Sequence, residues 1–198
     1  MKKQHVYESL PAGYREIESI DLQKNKKLAF IVNAIAVVIA VLMVIPAVGA
    51  LASSLNLSLS ELSDGELRGM LIKLVVLVAG MIVYLILHEL VHGITMKIFG
   101  TKKVKYGFTG LYAFAGSDDY YDKPSYITIA LAPIVVWGIV LLILNITVGH
   151  DWFWVVYLIQ IINISGAAGD LYVTWKMSKL PPDILVKDIG VSMTVYGK

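Results

Sequence analysis

The 198-residue chain is 57% hydrophobic and 16% charged, with a mean hydropathy of +0.71, too apolar for an ordinary soluble domain. A formal charge of +2 without a dense basic cluster argues against nucleic acid as a partner. The absence of cysteine excludes disulfides and thiolate metal sites, so any metal must be held by nitrogen and oxygen.

Residues 1–27 are polar and mixed in charge, and a charge-free run from Leu28 to Ser60 follows. A secretory signal would place a short apolar core close to the N-terminus, so this run is expected to be a retained first span, Leu28 to about Ala52. Pro46 should kink its outer third, and Asn33 should bond a neighbouring helix. Residues 53–66 form a polar connection. Ser63-x-x-Glu66 reads as a capping box that opens a second helix, Asp64 to about Phe99, with Gly100 as its stop. Arg68 and Lys73 confine the embedded part to Leu74–Met96. The uncharged run Leu74–Leu87 is too short to cross a bilayer by itself, so the residues that follow it, His88-Glu89-Leu-Val-His92-Gly93, lie within the span.

Residues 97–124 separate the second and third spans. Val104–Phe108 and Leu111–Ala115, joined through Thr109-Gly110, resemble a β-hairpin. Asp118, Asp119 and Asp122 lack the ordered spacing of a calcium loop and read as a solvated acidic turn. Tyr126 to about Val148 is a third span, which Pro133 should bend or locally open. Trp152 to about Trp175 is a fourth, ended by Lys176, Lys179 and Pro181-Pro182. A tail with a possible strand at Val191–Tyr196 follows. The fold class expected is an all-α membrane protein: four transmembrane helices with a short β-hairpin-like segment between helices 2 and 3. The division is an N-terminal segment 1–27, a membrane domain 28–176 and a C-terminal tail 177–198. Lysine and arginine gather in the N-terminal segment, the 97–124 segment and the tail, and are absent from 53–66 and 149–151. The expected orientation is therefore a multi-pass cell-membrane protein with both termini in the cytoplasm.

His88 and His92, four residues apart, differ by about 40° around a helix and project from one face. H-E-x-x-H is a zinc-binding arrangement in which the glutamate, here Glu89, serves as general base toward an activated water. Ionisable groups inside a span each cost a few kcal/mol on insertion scales, so a functional reason for them is expected. A catalytic zinc takes three protein ligands. His5 and His150 lie in exposed end segments, whereas Asp170 is a carboxylate inside another span. His92 precedes Lys97 by five residues and Asp170 precedes Lys176 by six, which puts both roughly 7–9 Å inside the boundary the lysines mark. Asp170 is thus the candidate third ligand. Asn163, seven residues earlier, projects from the same face and is a candidate catalytic helper that hydrogen-bonds a substrate carbonyl or a ligand. Ser165–Gly169 are small enough to let this helix approach another closely.

His88-Glu89-Leu-Val-His92-Gly93 in one span, with Asn163 and Gly169-Asp170 in a later one, resembles the site-2 protease type of intramembrane zinc metalloprotease. The chain resembles still more closely the putative zincin peptidase family of bacterial integral membrane proteins. The resemblance implies zinc held by His88, His92 and Asp170, hydrolysis of peptide bonds in membrane or membrane-proximal proteins, and an edge at Val104–Ala115 that receives substrate as an added strand. The chain departs from the site-2 pattern in having no proline between Asn163 and Asp170. Three other readings compete: a metal-free polar contact between the histidines and Asp170, a proton- or metal-coupled transporter using them as relays, and an inactive protease relative acting as a binding scaffold.

Overall fold

A computed structural model describes residues 5–54, 63–110 and 112–198; most of the expected 53–66 connection, and Leu111, lie outside them. In chain order the elements are β1 (Val6–Tyr7), β2 (Arg15–Asp21), α1 (Lys26–Ser54), α2 (Asp64–Phe99), β3 (Lys105–Phe108), β4 (Ala113–Gly116), β5 (Tyr120–Asp122), α3 (Lys123–Thr147), α4 (His150–Gly166), α5 (Ala168–Ser178), β6 (Leu185–Asp188) and β7 (Ser192–Gly197). Among the described residues four helical stretches are long and apolar enough to cross a membrane, α4 and α5 together forming the fourth.

The capping box opens α2: the Ser63 side chain accepts from the Glu66 backbone, and Glu66 reaches back to the Ser63 amide at 2.8 Å. Gly100 closes it with a φ of 114°, a left-handed conformation glycine adopts without steric cost. Asp122 opens α3 by accepting from the Ser125 amide at 3.1 Å, so this aspartate is a helix cap rather than part of a solvated turn. Asp118 is paired with Lys105. The fourth span, expected as one helix, breaks at the fully buried Ala167 between Gly166 and Ala168.

The expectation of an all-α chain needs correction. The hairpin is present as β3 and β4, but a five-stranded antiparallel sheet in the order β1-β5-β6-β7-β2 accompanies it. Segments before, between and after the helices build this sheet together: Ile20 pairs with Met193, and Val6 with Tyr121. These strands are two to seven residues long, and β1 and β2 pair with partners more than a hundred residues away, which leaves little local periodicity to read. The strand expected at Val191–Tyr196 is observed at Ser192–Gly197.

Alternation in the sheet puts Tyr121, Val186, Val195, Met193 and Ile20 on one face, all nearly inaccessible. That face packs on Met96 of α2, Tyr126 and Ile129 of α3 and Met177 of α5. The core therefore sits where the sheet meets one end of the helices, the end where α1 and α3 begin and α2 and α5 finish. Beyond it the helices are apolar and exposed, with 6% of the most apolar stretch of α1 and of α2 buried. Soluble monomers do not carry apolar surface on that scale.

Candidate metal centre

The helical period and α2's packing on α3 and α4 bring His88 and His92 to the bundle interior, where both are about nine-tenths buried. Their rings meet edge to face with centroids 5.0 Å apart. Asp170, in the first turn of α5, faces them: His88 Nε2 lies 3.5 Å from one carboxylate oxygen and His92 Nε2 3.6 Å from the other. The three potential ligand atoms all fall within 4.8 Å of one another. The depth comparison with Lys97 and Lys176 thus pairs residues that do meet.

The second ring nitrogens determine which atoms face Asp170. His92 Nδ1 donates to the Ile129 carbonyl at 2.9 Å. That carbonyl has no partner within its own helix because residue 133, four positions on, is proline and has no N–H. His88 Nδ1 lies 2.9 Å from the Tyr84 hydroxyl, which itself donates to Asn163 Oδ1 at 3.0 Å. With its single proton so committed, Tyr84 accepts from His88 Nδ1–H. In the neutral rings both Nε2 atoms therefore turn a lone pair toward Asp170.

This arrangement tests the metal-free alternative. An imidazolium–carboxylate contact closes to about 2.7–2.9 Å at its best, and the separations here are longer. Ligands about 2.0–2.1 Å from one tetrahedral zinc lie about 3.3–3.4 Å from each other. Each Nε2 lies 3.5–3.6 Å from one oxygen of Asp170 and one atom from each residue falls within 4.8 Å, so the group could close on a divalent ion, with ring orientation fixed by Nδ1 hydrogen bonds as metal-binding histidines require.

Glu89, half-buried, shares with His88, His92 and Asp170 a cavity of about 200 Å³. The Ala115 N–H is directed at its carboxylate, and Tyr106 of β3 is close enough to feel its charge. Gly93, next after the motif, is needed for this packing, because a Cβ there would run into the Tyr106 hydroxyl. Asn163 is completely buried and does not line the cavity. Its oxygen takes the Tyr84 proton, and its amide nitrogen faces Ile134 O and Gln160 Oε1 at 3.4 Å. It therefore touches His88 through Tyr84. His5 bonds Asp122 at 3.0 Å, away from the site.

Two features of the site carry no expectation from the sequence. Tyr84 stands one turn before His88, and that i, i+4 spacing is a usable sign. Asp188 of β6 also lines the cavity, and in a polar tail it carried no signal. A larger apolar cleft of about 860 Å³ adjoins the first, running between α1 and α2 with Val32, Ala36, Ile82 and Leu85 on its walls and His88 and Glu89 at its inner end. The cleft exists because α1 packs on α4 and α5 rather than on α2.

A model of the family described as "Putative zincin peptidase" matches residues 81–185, which include His88, Glu89, His92 and Asp170. The chain belongs to this family. Its members are described as peptidases of the zinc-dependent kind, and the paired histidines and aspartate of this chain could hold that ion. A protein of Pyrococcus woesei, named as an uncharacterized 24.7 kDa protein, is 34% identical over 123 residues, covering 59% of this chain. The chain spans about half the length of that curated relative, 53%. No solved structure matches.

Proposed function

We propose that the protein is an intramembrane zinc metalloprotease of the site-2 protease type, which hydrolyses peptide bonds of membrane or membrane-proximal proteins. The observation that carries this reading is the convergence of two bare Nε2 atoms and one carboxylate beside Glu89, inside apolar helices. His88, His92 and Asp170 would hold the ion. When bound, zinc supplies a Lewis acid and brings the pKa of a coordinated water down to about 7.

The chain's own residues account for the remaining requirements. Glu89 takes the proton of the attacking water and passes it to the leaving amine. Tyr84 and the Ile129 carbonyl hold the imidazoles in one tautomer, and Asn163 acts as a positioning residue behind Tyr84. The hairpin supplies an edge. Thr109 N–H bonds the Tyr112 carbonyl at 2.9 Å, so by the alternation of antiparallel pairs Ala113 and Ala115 point their N–H and C=O groups away from β3. Ala115 N–H is directed at Glu89, and Ala113 lines both cavities. A substrate unwound from its helix can pair with this edge and so satisfy backbone groups that lipid cannot. The cleft between α1 and α2 offers an apolar path from the bilayer to the edge.

The lysine and arginine distribution supports the orientation with both termini, the sheet and the metal centre toward the cytoplasm. Arg68 and Lys73, at the outer end of α2, run against it, and Lys73 is paired with Asp151 at 3.7 Å. The test is a comparison of membrane-proteome peptides between source cells carrying wild type and Glu89→Gln. Peptides ending at new termini should appear with wild type alone, and identical profiles would reject proteolysis.

A further inference from the structure

One carboxylate in the metal cavity has no role in the hydrolysis described above. Asp188 lies at the end of β6, three residues past the matched part of the family. Its register opposite Met193, itself opposite Ile20, puts it on the helix-facing side of the sheet, and it lines the same cavity as His88, Glu89, His92 and Asp170. One oxygen accepts the Tyr126 hydroxyl at 2.7 Å and the other the Gly190 N–H at 2.8 Å. A carboxylate has about four acceptor positions, so these bonds hold Asp188 in place and leave half its capacity for the cavity.

Its charge is surplus. Asp170 and Glu89 together balance one divalent ion, and among the described residues every lysine ion pair goes to another acid. Burial raises the Asp188 carboxyl above the usual carboxylate range, against the two hydrogen bonds that lower it, so a cation beside it is what would hold it ionised. The sheet that carries it sits at the end of the helices where the chain's own lysines gather, and transmembrane proteins carry lysine and arginine at that flank.

We propose that Asp188 forms a subsite for a lysine or arginine side chain of the substrate, on the side of the scissile bond nearest the sheet. This rests on the proteolytic reading above. A fixed carboxylate in a desolvated cavity discriminates a cationic from a neutral side chain by about ten- to a hundredfold.

The test uses the full chain, zinc-loaded in detergent, with a proteome-derived peptide library and cleavage sites read by mass spectrometry; Glu89→Gln sets the background. Wild type should cut with lysine or arginine enriched about tenfold or more at one fixed position. Asp188→Asn should lose the enrichment, and Asp188→Lys should replace it with aspartate or glutamate. In non-cutting Glu89→Gln protein, a lysine peptide taken from that profile should bind about tenfold tighter than its glutamine counterpart, and adding Asp188→Asn should abolish the difference. A wild-type profile without basic enrichment overturns the subsite whether or not the variants fold, as does an enrichment unchanged in both Asp188 variants. No cutting above background would remove the proteolytic reading itself, an outcome distinct from a flat profile.

Discussion

Each imidazole at the centre is held from behind, and the two supports differ in origin. His92 uses a carbonyl that Pro133 leaves free, a backbone effect of a residue in another helix. His88 uses a side-chain relay of Tyr84 and Asn163, both buried. Partners of this kind are worth ten- to a hundredfold, roughly, in metal affinity. Tyr84→Phe removes the oxygen that accepts from His88 Nδ1 while leaving the ring packing against Trp137. Zinc affinity measured by chelator competition should fall by about that factor, with Glu89→Gln protein as an unaffected reference. The spacing of His88, Glu89 and His92, and the depth of Asp170, were legible in the sequence because helix geometry and two boundary lysines determine them. The Tyr84–Asn163 contact was not, since no local period links a residue of α2 to one of α4.

Among the elements, the hairpin and the helix break do most to shape the site. Gly166 and Gly169, on either side of the break, line the cavity, and Asp170 lies in the first turn of the segment that follows. The segment holds no proline, and its small residues Ser165–Gly169 read as permitting close helix approach, so an interruption there was not expected. The hairpin was legible from Gly110 and its flanking aromatic residues, while its edge direction depends on hydrogen-bond register, which composition does not encode. Ala113→Pro removes one outward N–H and leaves the β3–β4 ladder bonds in place. It should retain zinc and raise the KM for a membrane-derived peptide by roughly two- to tenfold, the worth of one hydrogen bond. An unchanged KM would count against strand pairing at this edge.

For the whole molecule, four apolar stretches and their lysine pattern were readable because hydropathy and charge act locally along the chain. The sheet as a whole was not, because β1 and β2 pair only with β5 and β7, far along the chain, and among its pairings only β6–β7 is local. This pairing ties the two ends of the chain to one side of the bundle, so a single topology measurement covers both. A reporter fused after Lys198 should read as cytoplasmic, and an extracytoplasmic signal would refute the orientation.

The central claim is that His88, His92 and Asp170 form a zinc site beside Glu89. Metal analysis of the purified chain tests it most directly. The account predicts about one zinc per chain in wild type and in Glu89→Gln, and none when His88, His92 and Asp170 are all replaced by alanine. Wild type without zinc, or zinc content unchanged in the triple variant, would contradict it.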